Sequence, residues 1–337
     1  MRIGLTYDLQ TDSTDPRQAE FDPPQTLEAL MRALEAPGHR VIRLGNAHEL
    51  LRAPQRLQEI DLVFNIAEGS DGSCREAWVP MLLELSRVPY VGSDPLALCL
   101  ALDKVITKRL AIAEGIRTPR WISIENPQGL PDPFPVAFPV IIKPRFEGSG
   151  RGIDPGAIVQ HRADLAARVA WLYEQCREPI LIEEFIRGGE LTVCLIGNDP
   201  PTAYPAIQRP LDPPTRLSCH LIKPQPAQGL CPLVLDEALD AQARRMAVQI
   251  FETLGCHDMA RVDFRVNDAG QLYFLEINPL PSFDPDGSFG LLAEYLGTTY
   301  AQLIGAVLDA ALCRLSMQPP RMACVDRLST TDVYSHV

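Results

Sequence analysis

The chain has 337 residues, and its 31 Lys and Arg against 43 Asp and Glu give a formal net charge of −12. This acidic balance argues against broad binding to nucleic acid or to an anionic membrane surface, because both need a basic footprint. The hydrophobic share of 46% is enough for a sizeable core. At this length we expect two or three domains.

Composition also predicts where the protein works. The longest uncharged apolar stretches, 133–142 and 295–308, are too short to span a bilayer. The first residues have the pattern of a strand and not of a leader, so we expect a cytoplasmic protein. The nine cysteines form no C-x-x-C pair and are expected to be reduced thiols. The six histidines lack metal-ligand spacing, which argues against a zinc site.

The first third of the chain alternates strands and helices. Strands are predicted at 2–7, 39–44 and 62–66, and helices at 24–36 and 75–86. This alternation is typical of an open parallel sheet, in which loops at the carboxyl ends of the strands are available for ligands.

The rest of the chain predicts a second group of elements. They are a helix at 96–114, a strand at 140–143, a helix at 165–176, strands at 180–185 and 190–196, a helix at 235–254, a hairpin of 260–266 and 271–277, and a helix from 288 to about 315. Residues 200–232 are proline-rich without periodicity, which is typical of a functional lid, a binding loop or a disordered segment. The tail after Met317 is expected to be poorly ordered.

The predicted hairpin carries acidic side chains. Residues two apart on a strand face the same way, so pairing of the strands can place Asp263 beside Glu276, with Asn278 next along. Such oxygen ligands suit Mg²⁺ together with substrate phosphates and waters. A solvated hairpin that happens to be acidic is the alternative. It is weakened because Glu276 lies in an otherwise apolar strand, where an unpartnered carboxylate is costly.

Three further segments have features of a nucleotide site. Lys143 ends an apolar strand and precedes the Gly-rich loop 147–152, which can hold phosphates through backbone N–H groups; a surface linker is the alternative. The apolar strand edge at 181–186 can receive an adenine, and Glu190 the ribose hydroxyls. Lysines follow one helix face at 103–108, although such lysines are usually only solvated.

The order of these motifs is more specific than any one of them. Four motifs follow one another: a D-K-x-x-T-K helix, a strand with Lys and a Gly-rich loop, E-E-F-I…E, and R-x-D…E-x-N. With these motifs in this order, the chain resembles the ATP-grasp superfamily. Within it the chain resembles the D-alanine–D-alanine ligases over about residues 2 to 312. The segments that carry the resemblance are 88–110, 138–153, 181–193 and 260–281.

The resemblance implies an α/β ATP-grasp fold, with an open parallel sheet domain followed by two α+β subdomains that sandwich ATP. The expected boundaries are 1–100 for the N-terminal domain, 101–188 for the small lid subdomain, 189–315 for the C-terminal subdomain with the metal and catalytic residues, and 316–337 for the tail.

The resemblance also implies residue roles. ATP would be bound by Lys104, Lys143, Glu147, Gly148, Ser149, Glu183, Glu184, Phe185, Ile186 and Glu190. Two Mg²⁺ ions, with Mn²⁺ as the alternative metal, would be held by Asp263, Glu276 and Asn278. Arg261 would stabilise the oxyanion of a tetrahedral intermediate, and the loop containing Ser149 would close over the phosphates. The implied reaction makes an acyl phosphate from a carboxylate, and an amine then displaces the phosphate to leave an amide.

Departures from the family lie on the amino-acid side. The first strand ends Leu5-Thr6-Tyr7-Asp8 in place of a Gly-rich turn. Glu68-Gly69 stands where the family has His-Gly, and Ser282 where it has Gly. The lid residues cannot be matched in 200–232, where Lys223 and Arg216 are both candidates. The nucleotide and metal residues are therefore better supported than D-alanine as the substrate.

The amino-acid subsite is predicted from chain position. Glu20 or Asp22 before the first long helix, and Glu68 after the third strand, can bind the ammonium of the first substrate, while Arg261 takes its carboxylate. Glu68 is also a candidate for the catalytic set, and Ser282 and Ser288 are further substrate candidates. The predicted partners are small-molecule amino acids, with no nucleic acid and no membrane, and a homodimer is the assembly considered.

Several functions remain open at this point. The leading hypothesis is a D-alanine–D-alanine ligase-like enzyme. Its alternatives are a natural-product dipeptide or amino-acid ligase with other substrates, another ATP-grasp ligase or carboxylase, and an ATP-binding protein with a degenerate site.

Overall fold

Three β-sheets with flanking helices form the protein, in a computed structural model that describes residues 1–212, 214–218, 233 and 235–317. This arrangement confirms the predicted α/β class. The tail predicted to be poorly ordered lies outside the described residues, apart from Met317 itself.

The N-terminal sheet is entirely parallel. Its strands are β1 (Arg2–Tyr7), β2 (Arg40–Gly45), β3 (Leu62–Ile66) and β4 (Tyr90–Val91), joined by the helices α1 (Pro24–Glu35), α2 (Ala47–Arg52) and α3 (Trp78–Leu85). The strand order is β2-β1-β3-β4. Since β1 and β3 are neighbours, the loops that follow them leave the sheet at one edge. Helix α2, which the periodicity did not predict, is fixed by a capping box between Asn46 and Glu49.

The second sheet is antiparallel, in the order β5-β8-β6-β7. This part of the chain contains α4 (Pro95–Leu102), α5 (Lys104–Ala113), β5 (Trp121–Ile124), β6 (Val140–Pro144), β7 (Ile158–Val159), α6 (Arg162–Cys176) and β8 (Ile180–Glu184). The single helix predicted at 96–114 is wrong, because Asp103 is extended and caps α5 by accepting from the N–H groups of Val105 and Ile106. Strand β5 was not predicted.

The third sheet is also antiparallel, in the order β10-β9-β12-β13, and β11 pairs with β9 as well. Its chain segment contains β9 (Gly189–Ile196), β10 (Thr202–Ala203), β11 (Ile207–Arg209), α7 (Glu237–Thr253), β12 (Met259–Val266), β13 (Leu272–Asn278), α8 (Ser288–Tyr295) and α9 (Tyr300–Arg314). Two short strands thus lie where no regular element was predicted. The predicted helix from 288 to 315 is broken at Gly297, whose φ is +64°, and α9 restarts from a capping box at Thr299.

One hydrophobic core joins the first and third sheets. It packs Phe64 of β3 with Cys194 of β9, Met259 of β12 and Leu308 of α9. The second sheet has a core of its own, centred on Leu172 and its neighbours in β6 and β8. Within the described part of the chain no single helix has the length and apolar composition to cross a bilayer. The pair α8 and α9 meets that test only when taken together, and it is bent by 109°.

A buried carboxylate reinforces the joint between the first and third sheets. Asp258, which is fully buried, accepts hydrogen bonds from Gly92 N at 2.9 Å and from Asn198 Nδ2 at 3.1 Å. It also pairs with Arg314 of α9 at 2.6 Å. One side chain thereby fixes the end of β4, the turn after β9 and the last helix to each other.

Candidate active site

The acidic hairpin forms with the predicted register. Asp263 lies opposite Glu276, and Arg261 opposite Asn278. Thr192 Oγ1 donates to Asp263 Oδ1 at 2.7 Å, and Arg261 Nη2 lies 3.1 Å from Asp263 Oδ2. The carboxylate of Asp263 is therefore held in a fixed orientation by Thr192 of the neighbouring strand β9 and by Arg261 of its own strand.

Glu276 is held as an anion. Its burial alone would raise its pKa, but Lys104, Lys143 and Arg261 outweigh burial and lower the pKa to about 2. Lys104 Nζ lies 3.4 Å from Glu276 Oε2. Glu276 is ionised but already surrounded by cations. It can therefore bind a metal ion only if further anionic groups, such as phosphates, bind at the same place.

The donor set fits Mg²⁺ in that restricted sense. Asp263 and Glu276 supply hard carboxylate oxygens, and Asn278, two residues after Glu276 on β13, can add an amide oxygen. The part of the chain that the structure describes contains no group of three or more His, Cys, Asp or Glu arranged to hold a metal without a substrate. Mg²⁺ commonly binds through one or two carboxylates plus substrate phosphates and waters, so this site needs its substrate to be complete.

A buried lysine pair lies beside the hairpin. Lys108 Nζ and Lys143 Nζ each lie 2.6 Å from a carboxylate oxygen of Glu183. Burial lowers the pKa of Lys108 to about 8, against the opposing effect of Glu183. For Lys143 the same burial is outweighed by Glu183 and Glu276, and its pKa is raised. Lys143 is therefore a permanent cation near the metal acids, as a phosphate contact requires.

The structure gives Glu183 a neighbourhood that the sequence did not predict. Its side chain was assigned to adenine by resemblance, but it is buried between the two lysines. Glu184 is half-buried at the end of β8, whereas Phe185 and Ile186 are buried. The ring of Phe185 lies under the guanidinium of Arg265, 4.8 Å from its centroid.

Glu190, the predicted ribose contact, lies among cations. Arg265 Nη1 is 3.3 Å from Glu190 Oε2, Arg209 Nη1 is 3.6 Å from Oε1, and Ser218 Oγ donates to the same oxygen. Arg209 also reaches Asp263 at 4.0 Å. Both arginines were missed. Arg265 continues the alternating face of Arg261 and Asp263 and could have been found, but Arg209 lies in a segment without periodicity.

The Gly-rich loop is tied to α5 and to the segment after β1. Lys104 Nζ donates to the carbonyl of Glu147 at 2.6 Å, and Gly148 N donates to Glu20 Oε1 at 2.7 Å. A Cβ at position 148 would overlap that same carboxylate oxygen. Ser149 is exposed with a φ of +46°, and its hydroxyl makes none of the hydrogen bonds found among the described residues. The structure therefore brings Glu147 and Gly148 to the site, but not the Ser149 side chain.

Glu20 is held by an arginine. Arg75 Nη2, which is buried, lies 2.7 Å from Glu20 Oε2 and 3.6 Å from Glu147 Oε2. Arg75 thus links the loop after β1, the turn after β3 and the Gly-rich loop.

Other acids at this edge lack such partners. Asp22 is buried, and its burial and the charges of Asp284 and Asp8 raise its pKa to about 7. Burial together with Glu76, Glu20 and Asp22 raises the pKa of Glu68 well above its usual value. The predicted substrate carboxylates therefore do converge at one edge of the first sheet, where burial and mutual repulsion raise the pKa values of Asp22 and Glu68.

The remaining candidates are spread more widely. Ser282 is exposed and its Oγ accepts from Asp284 N at 3.2 Å, whereas Ser288 is buried at the start of α8. Arg216 contributes a carbonyl, which accepts from Arg265 Nη2 at 2.8 Å. Lys223 lies outside the described residues.

Comparison with known proteins agrees with this geometry. A family model described as the D-Ala–D-Ala ligase C-terminus matches residues 130–309. The D-alanine–D-alanine ligase of Marinomonas sp. strain MWYL1 is 33% identical over 285 residues, which cover 82% of this chain and 87% of that protein. The chain belongs to the D-alanine–D-alanine ligase family. The predicted resemblance is thereby confirmed, and with it the assignment as an ATP-dependent ligase of this family.

A further relative and a solved structure are similar to this chain over most of its length. An uncharacterized protein of Sinorhizobium fredii, y4sG, is 32% identical over 296 residues, covering 84% of this chain and 86% of that protein. The crystal structure of the Bacillus anthracis D-alanine–D-alanine ligase complexed with ATP superposes with a TM-score of 0.71 at 22% identity, covering 95% and 99% of the two chains. That similarity confirms the ATP-grasp fold.

Proposed function

We propose that this ligase joins two amino acids through an acyl phosphate, using ATP bound between the second and third sheets. The observation that carries the proposal is the single charged network in which Lys104, Lys143 and Arg261 surround Glu276. It supplies cations for a transferring phosphoryl group and a carboxylate for the metal at one place.

In this proposal Asp263, Glu276 and Asn278 hold two Mg²⁺ ions. Bound there, the ions would neutralise charge on the transferring γ-phosphoryl group. Lys143 would contact the phosphates, because it stays protonated beside Glu183 and Glu276. Glu147 and Gly148 would cover them, since both backbones already lie against Lys104 and Glu20.

Arg261 would stabilise the oxyanion that forms when the amine attacks the acyl phosphate. Its Nε and Nη2 both bind Asp263, which leaves Nη1 for the substrate. Burial would lower its pKa, but Asp263 and Glu276 raise it, so the guanidinium stays charged throughout the reaction. The ammonium of the first amino acid would meet Glu68.

The test is phosphate release from ATP and Mg²⁺ on a matrix of D- and L-amino acids. The proposal expects ADP and phosphate to form only when amino acids are present. Formation of AMP and pyrophosphate would remove the acyl-phosphate mechanism.

A second candidate is a ligase for amino acids other than D-alanine. Glu68 in place of histidine and the exposed Ser282 in place of glycine both alter the amino-acid side and favour this candidate. The same matrix decides between the two. A cytoplasmic location and a homodimer remain predictions.

A further inference from the structure

The edge of the first sheet at the carboxyl ends of its strands contains more carboxyl groups than one amino-acid ammonium can pair. Asp8 and Asp22 come from the segment after β1, Glu68 from the loop after β3, and Asp284 from the loop after β13. Arg75 is a cationic side chain at this edge, but it is already paired with Glu20 and Glu147.

The backbone brings these acids together. Asp22 N donates to Asp8 O at 3.0 Å, which fixes Asp22 beside the end of β1. Gly69 N donates to Asp8 Oδ2 at 2.8 Å, which places Glu68 at the same edge. Phe283, next to Asp284, packs edge-on against Phe64 of β3 with 5.5 Å between ring centroids.

Asp22 is the decisive side chain. Only 7% of the residue is exposed, and its carboxylate has neither an ion pair nor a hydrogen bond within the described structure. Asp8, by contrast, accepts from Asn46 Nδ2 and Gly69 N. A buried carboxylate without a partner is costly to folding, and such groups cluster at binding sites, where the ligand provides the partner.

The shape of the acid cluster favours an organic cation over a metal ion. The described residues contain no group of three or more acids, histidines or cysteines placed to hold a metal. An amino acid with a side-chain ammonium group has two cationic groups several bonds apart. It can therefore bind two separate carboxylates at once.

We propose that the first amino-acid subsite accepts a diamino acid, with its α-ammonium at Glu68 and its side-chain ammonium at Asp22 and Asp284. The proposal rests on the proposed function, because it assumes that this edge of the sheet holds the amino acid whose carboxylate is activated.

The test compares substrates of matched length with and without the second charge. Ornithine is paired with norvaline and lysine with norleucine, each as D and L forms, in the phosphate-release assay. We expect kcat/KM for the diamino acid to exceed that of its neutral partner at least tenfold in one configuration. Asp22→Asn and, separately, Asp284→Asn should lower this ratio at least fivefold. The exposed Glu59→Gln serves as the control variant and should keep the wild-type ratio.

Binding is measured separately, so that failure of the subsite differs from failure of the ligase function. Calorimetric titration of the protein with ADP and Mg²⁺ uses the same four amino acids. Phosphate release with equal preference for charged and neutral partners would overturn the diamino-acid subsite and leave the ligase function intact. If ornithine or lysine binds more tightly than its neutral partner but no phosphate is released, the subsite is supported and the ligase function is overturned. Equal or absent binding together with no release would overturn both.

Discussion

At the residue scale, the hairpin carboxylate Glu276 is the proposed metal ligand that the cations Lys104, Lys143 and Arg261 surround. We expect Glu276→Gln to lower turnover by roughly two orders of magnitude or more, because it weakens a metal ligand where charge develops. ATP affinity should change much less. Steady-state phosphate release at saturating Mg²⁺ and a nucleotide titration measure the two effects. Unchanged turnover would show that the hairpin is only structural.

Glu183 is expected to matter for stability as well as for ATP. In Glu183→Gln, the buried Lys108 and Lys143 would lose the carboxylate between them, and the pKa of Lys108, which burial already lowers, would fall further. Breaking a buried ion pair from one side costs about 3–5 kcal/mol, and denaturant unfolding measures that loss. Adding Lys108→Met to the variant should restore part of it. A loss below about 1 kcal/mol would contradict the pairing.

Some single residues could be predicted from sequence and others could not. The two-residue periodicity of strands was sufficient to place Asp263 beside Glu276, since pairing of adjacent strands is local. The environment of Glu183 depends on Lys108 of α5 and Lys143 of β6 meeting at its carboxylate, which no local pattern encodes. The contacts of Arg209 could not be predicted for the same reason, because its neighbours Glu190 and Asp263 come from other strands.

At the element scale, the Gly-rich loop is restrained by Glu20 from the segment after β1 and by Arg75 from the turn after β3. Glu20→Gln should loosen this restraint by weakening the charge-assisted bond to Gly148 N and the pair with Arg75. We expect faster tryptic cleavage after Arg151 in the variant, measured by mass spectrometry under native conditions. Glu59→Gln is again the control. Equal cleavage rates in all three proteins would contradict the restraint.

Elements were predictable where one periodicity ran without interruption. The parallel strands β1 and β3 are buried runs and were predicted, and so was the hairpin. The helix at 96–114 has a continuous pattern, yet Asp103 breaks it because its side chain caps α5 and pairs with Arg145 at 2.6 Å. Strands β10 and β11 are too short to show a pattern and exist through pairing with β9.

At the scale of the whole molecule, the acid cluster predicts how stability varies with pH. The folded pKa of Asp22 is raised to about 7 by burial and by Asp284 and Asp8, and that of Glu68 is raised too. The folded state therefore binds protons that the unfolded state has released between about pH 4 and 7. Their contribution to stability is complete below pH 4 and is lost as pH rises through 7.

Denaturant unfolding at pH 5 and pH 8 tests this sign. We expect Asp22→Asn to reduce the loss of stability between the two values, because the amide does not titrate. A diamino acid at saturating concentration should reduce it as well. An identical pH dependence in wild type and variant would show that Asp22 ionises freely.

The separate core around Leu172 has a consequence for how the molecule opens. The first and third sheets share one core and the Asp258 joint, so they must lose their protection from solvent exchange together. The second sheet has its own packing and can open alone. Backbone amides of β5, β6 and β8 should therefore exchange deuterium in a faster cooperative unit than those of β1, β3 and β12. Nucleotide, which would contact both the second and third sheets, should slow exchange in the faster unit most. That result would identify the second sheet as the part that moves when ATP enters and ADP leaves.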